Sequence, residues 1–171
     1  MIVLQAPVSD REGAMLETNY KKNIKHAQEL SEDGRGQEMM PRDAFWAPIT
    51  ASRFLSLQDK NGEDDFFSSD LTDEELIDKL GHIGTFSSKD QQGLSLLTAF
   101  SGMDEYVPEH VDKEMLLGRL CDAMNHKCAQ KGTQNVAIPL YLKTGNHNLS
   151  KNEEDLTTFI LEVEKLLKLV E

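Results

Sequence analysis

Side chains able to do acid–base, nucleophilic or metal chemistry are unevenly spread along these 171 residues. Five histidines, His26, His82, His110, His126 and His147, fall one to a segment. None makes an i, i+4 pair or an H-E-x-x-H motif, the spacings by which one helix offers two imidazoles to a metal. Gly81-His82 and Gly145-Asn146-His147 read as ordinary loops after structured segments. Cys121 and Cys128 are the only thiols. Seven residues apart on one helix, they share a face but sit about 10.5 Å apart along its axis. A disulfide reaches only about 7 Å between Cα atoms. Beside Met124 on an apolar stripe, both read as buried, reduced thiols, which are poor nucleophiles. Asp33-Gly34-Arg35-Gly36 follows a helix and lacks the spacing and the lysine of a phosphate loop. The sequence thus offers no catalytic residue and no organic cofactor site.

Charge is the more informative feature. Thirty acids face 18 bases, a net charge of −12, and the window from Asp59 to Asp78 alone carries −8 of it. Asp73, Glu74 and Glu75 fall where a helix N-terminus favours anions. The remaining acids need another account, and two are available. In the first, Asp59, Asn61, Glu63 and Asp65 occupy positions 1, 3, 5 and 7 of a loop, with Asp70 at position 12 and Phe54-Leu55-Ser56-Leu57 as its entering helix. This stretch resembles an EF-hand loop, and the resemblance implies calcium as a ligand. It departs from that pattern at Asp64, where a glycine makes the sharp turn, and at Asp70, where a longer glutamate chelates. In the second, Asp64, Asp65, Asp70, Asp73, Glu74 and Asp78 form an acidic docking surface for a protein partner with a basic face, anchored by Phe66 or Phe67.

The elements that must hold these groups read as helices. Ser9 and Glu12 make a capping box for a helix running to about Ser31, with Leu16, Tyr20, Ile24, Ala27 and Leu30 at helical spacing. A second helix is expected over Ile49–Leu57, a third from Thr72 to Gly81, and a fourth from Ser88, holding Leu94, Leu97 and Phe100 and ended by Gly102. A fifth opens at Asp112 and ends before Gly132, and a sixth runs from Ser150 to Val170. Only Ile2-Val3-Leu4 and residues 136–142 alternate like strands, and Pro139 confines the latter to an edge. The expected fold is all-α: one helical domain over residues 1–171, a bundle of five or six helices with a minor two-stranded patch formed by residues 2–4 and 136–142.

Leu, Ile, Val and Phe make up about 25% of the chain, enough to build a core. The acidic balance argues against nucleic acid and anionic lipid as partners. No apolar run reaches membrane-spanning length, and the first residues lack the features of a secretory signal. With reduced cysteines, these point to a cytoplasmic-type protein, or to a host cell if the chain is a secreted effector. The functional expectation is a non-catalytic, regulatory interaction module of inhibitor, adaptor or bacterial-effector type, using the 59–78 patch. The alternatives are a calcium module and a small enzyme whose site is assembled from distant residues. Residues 151–170 offer a face for a homodimer.

Overall fold

The computed structural model describes residues 1–60, 62–87 and 93–168. They form two compact units, Met1–Pro7 with Ser69–Glu171, and Val8–Ser68. The first unit holds a three-stranded parallel sheet in the order β1 (Ile2–Gln5), β2 (Leu96–Ser101), β3 (Ala137–Leu142). Ile2 is in register with Leu96 and Leu96 with Ala137. All six residues of β2 are buried. A strand covered on both faces needs no alternation, so Leu-Leu-Thr-Ala-Phe-Ser is an acceptable central parallel strand.

This sheet overturns the all-α bundle. The expected fourth helix is β2 in its described part, because Leu94, Leu97 and Phe100 match helical spacing while the whole run 96–101 is buried. Short apolar runs do not distinguish a buried strand from a helix by periodicity. Its expected start, Ser88 and Gln91, lies outside the described residues. The two-stranded patch is also corrected: residues 2–4 and 136–142 do not pair with each other, since β2 lies between them.

Parallel neighbours need a crossover, and α5 (Lys113–Lys131) provides the one between β2 and β3. Asp112 caps it by accepting from the Met115 N–H, and Gly132 ends it at φ +62°. Its buried face carries Leu116, Leu117, Leu120, Cys121, Met124 and Cys128. Asn125, also buried, accepts from the Val136 and Ala137 N–H groups at 2.9 Å and donates to the Ala137 carbonyl at 2.9 Å. It ties the crossover to the start of β3. Helix α4 (Asp73–Leu80), with the Thr72/Glu75 capping box, and the 3₁₀ turn Gly81–Phe86 pack on α5. Helix α6 (Glu153–Lys168) is opened by Asn152, which accepts from the Asp155 N–H, in place of the expected Ser150. Its Phe159 packs on the cluster of Ala99, Leu142 and Leu149.

The second unit is helical: α1 (Asp10–Ala14), α2 (Tyr20–Glu32) and α3 (Ala51–Gln58). The expected single helix from Ser9 to Ser31 is broken after Ala14, and Met15 and Leu16 are left exposed. Ala27, Leu30, Met40, Ala44, Ile49, Ala51 and Phe54 form the core. The two ends of the unit are clasped by a buried polar network. The Arg11 Nε meets the Asp65 carboxylate at 2.7 Å, Ser68 donates to the same carboxylate, and the Ser9 and Ser68 hydroxyls meet at 2.6 Å. Among the described residues no helix is long and apolar enough to cross a membrane.

Candidate active site

The carboxyl ends of parallel strands are where α/β sheets place their ligands. At that edge the chain leaves β2 through Gly102-Met103-Asp104-Glu105-Tyr106 and leaves β3 through Lys143-Thr144-Gly145-Asn146-His147. Backbone bonds join the two loops: Gly102 N–H donates to the Leu142 carbonyl at 2.8 Å, and Met103 N–H to the Gly145 carbonyl at 2.9 Å. The approach is so close that a Cβ on Gly102 would lie 2.3 Å from the Lys143 carbonyl oxygen. A glycine is required there for steric reasons alone.

The joined loops bring Asp104 and His147 together. The His147 Nδ1 lies 2.9 Å from the Asp104 Oδ2. The Asp104 side chain is fully buried, while that of His147 is 34% exposed. The other oxygen of Asp104 accepts from the Tyr106 N–H at 3.0 Å. A carboxylate only accepts, so this bond puts the imidazole proton on Nδ1 and leaves the lone pair on Nε2. Among the described residues Nε2 has no hydrogen-bond partner. The Tyr106 ring stands edge-on to the imidazole, with centroids 4.7 Å apart at 76°.

The surrounding bonds hold His147 in this pose. Its N–H donates to the Glu105 Oε2 at 3.0 Å, and its carbonyl accepts from the Gln5 Nε2 at 2.5 Å. Glu105 is held below the usual carboxylate range, first by the hydrogen bond from the His147 backbone, then by its own N–H, with Lys151 and Asn146 assisting. Asn146, buried, turns the loop by accepting from the Lys151 N–H and donating to Asn148. The arrangement is a buried carboxylate, an oriented imidazole and an open Nε2. Chemically, such an arrangement is able to act as the general-base half of a nucleophile–His–acid constellation.

The residues singled out by charge lie elsewhere. The run 59–78 is divided between the two units, at Ser68 and Ser69. Asp59 ends α3, accepting from Gln28 and from the Lys60 N–H, and Asn61 lies outside the described residues. Glu63 is at the rim of a cleft of about 280 Å³ with Ser31, Ser52 and Ser56. Asp64 pairs with Arg53 and accepts from Ser56. Asp65 is buried against Arg11. Phe66 and Phe67 pack 6.3 Å apart and are half-buried. Asp73 accepts from Arg119, while Asp70, Glu74 and Asp78 are exposed. Among the described residues no group of three or more His, Cys, Asp or Glu side chains is gathered as a metal site would require. Both cysteines are free and buried, and burial pushes the Cys121 thiol up to about 11.

Asp104, Glu105, Tyr106 and Gln5 carry no signal of their own in the sequence, and His147 stands there in what looks like an ordinary loop. The available signal is paired: an apolar run followed by Gly and then Asp, and another followed by Gly and then His. It carries weight only once both runs are seen as strands of one parallel sheet.

Known proteins resemble this chain in fold and in sequence. A siderophore hydrolase, EstB from Aspergillus fumigatus, superposes with a TM-score of 0.70 at 27% identity, over 99% of this chain and 57% of its own. The fold is accordingly α/β-hydrolase-like. Fusarinine C esterase sidJ of Aspergillus fumigatus is 34% identical over 72% of this chain and 42% of the relative. Esterase AN6793 of Emericella nidulans is 38% identical over 68% of this chain and 38% of the relative. The chain spans less than half the length of these curated relatives. Relatives named as esterases overturn the expectation of a non-catalytic interaction module and of a regulatory effector. A family model described as "Protein of unknown function (DUF1749)" matches residues 1–168, and the chain belongs to that family.

Proposed function

We propose that this chain carries the acid–base half of an esterase active site, with His147 as general base and Asp104 as the carboxylate that orients it. The observation that carries the reading is the 2.9 Å bond from His147 to a fully buried Asp104 at the carboxyl ends of the strands. His147 Nε2 takes the proton from a nucleophilic hydroxyl as that oxygen attacks the ester carbonyl carbon. Asp104 stabilises the imidazolium that forms. The same proton then passes to the departing alkoxide, leaving an acyl-enzyme that water hydrolyses by the same two steps. The 171 residues contain no G-x-S-x-G, the turn that exposes a serine nucleophile in α/β-hydrolase sheets. No nucleophile is assigned among the described residues, and a fluorophosphonate probe is the means to locate it.

Fusarinine C and siderophores are the first substrates to try, since one relative is named a fusarinine C esterase and another a siderophore hydrolase. The test is to present the protein, as its host makes it, with fusarinine C and simple carboxylic esters. A fluorophosphonate probe is then mapped by peptide mass spectrometry. Ester turnover with an adduct on a serine hydroxyl supports the reading. No hydrolysis of any ester, or an adduct on Cys121 or Cys128, contradicts it.

A further inference from the structure

A histidine on a loop can serve as base only if the loop is held, and His147 is held in an unusual way. Both of its backbone polar groups are taken by side chains of other segments rather than by a ladder or a turn. Glu105, in the loop after β2, accepts from its N–H at 3.0 Å. Gln5, the last residue of β1, donates to its carbonyl at 2.5 Å. Because β2 lies between β1 and β3, the Gln5 amide spans the central strand to reach a loop that leaves the far one. We infer that Gln5 and Glu105 are positioning residues, a two-sided clamp on the His147 backbone that sets the imidazole against Asp104 and aims Nε2 outward. The inference rests on the reading of His147 as base.

Three features set the clamp apart from incidental surface bonding. Gln5, Glu105 and His147 each come from a different strand end, so the clamp fixes the three loops relative to one another. Glu105 and Asp104 are adjacent, so one short segment grips both the backbone and the ring of the same residue. The Glu105 carboxyl, held low chiefly by the His147 N–H itself, is ionised at neutral pH and accepts strongly. Neither side chain needs to touch substrate. Misplacement of a catalytic group by about 1 Å is enough to cost on the order of 100-fold in rate.

The experiment is steady-state ester hydrolysis by the protein as its host makes it, in five variants: Gln5→Ala, Glu105→Ala, Glu105→Gln, the double Gln5→Ala/Glu105→Ala, and His147→Ala as reference. Each alanine variant is expected to lose about tenfold or more in kcat, with KM within about twofold. Glu105→Gln restores most of the rate, because its amide oxygen also accepts from the His147 N–H. The double variant loses less than the product of the singles, since both bonds hold one residue. Glu105→Gln as slow as Glu105→Ala overturns the inference, as does a change confined to KM. Alanine variants at the wild-type rate beside an inactive His147→Ala also overturn it, leaving the base assignment standing. Undiminished turnover in His147→Ala removes the base assignment itself, and the inference with it.

Discussion

Asp104→Asn is the substitution whose consequence the geometry fixes most closely. Asp104 uses each oxygen once: Oδ1 accepts from the Tyr106 N–H at 3.0 Å, and Oδ2 meets the His147 Nδ1 at 2.9 Å. An amide keeps one acceptor and gains a donor. The Tyr106 N–H cannot turn away, so the amide oxygen goes to that side and the NH2 group faces the imidazole. His147 then presents its Nδ1 lone pair inward and carries its proton on Nε2, the wrong tautomer for a base. The opposite flip sets two donors against each other at Tyr106. The carboxylate is fully buried, so water has no access to compensate. The loss is expected to be about 10⁴-fold in kcat, roughly 5.5 kcal/mol of transition-state stabilisation. Stability should change little, because the side chain keeps its shape. The assay is steady-state ester hydrolysis, with thermal unfolding as control. A loss below tenfold in a stably folded variant would refute the reasoning.

Other consequences follow from burial and charge. In the second unit Arg11 and Asp65 are almost completely enclosed. Arg11→Ala, which strands the carboxylate, should destabilise by about 3–5 kcal/mol in urea unfolding, whereas the apolar pair Arg11→Met/Asp65→Leu should recover most of that. A cost below 1 kcal/mol for the single variant would show that the clasp does not close the unit. With its thiol pushed up to about 11, Cys121 is ionised to only about one part in 10³ at pH 8. Iodoacetamide should leave it unlabelled in the native protein and label it in urea, and rapid native labelling would contradict its burial. Glu105 is lowered from an ordinary value of 4.5, so its hold on His147 is fully present above that pH and lost as pH falls through the lower folded value. The protection factor of the His147 amide, its exchange rate relative to an unstructured peptide at the same pH, should fall only in that acid range, and a lack of protection at neutral pH would count against the bond.

Local signals in the sequence translated well into local structure. The Thr72/Glu75 capping box, the Asp112 cap and the Gly132 stop all stand where side-chain chemistry places them. Pro139 does sit in a strand that has only one neighbour among the described residues. The sheet was illegible because its central strand, buried on both faces, shows no alternation, and its apolar residues happen to fit a helical period. If residues 94–100 are helical, Asp104 merely follows a helix and His147 sits in a loop more than 40 positions away, with nothing to join them. The acidic window drew attention for the opposite reason. Its charge is conspicuous in one dimension, yet Asp65 neutralises a buried arginine and Asp73 an arginine of α5. A catalytic pair made from two strand ends leaves no local trace, whereas ion pairs that hold elements together do.

The most direct measurement is ester turnover by the protein carrying His147→Ala, beside the wild type and with circular dichroism to verify the fold. If His147 is the base, kcat falls by about 10⁴ to 10⁶-fold while the fold is retained. Turnover within tenfold of wild type, from a correctly folded variant, would contradict the assignment of catalysis to the Asp104–His147 pair.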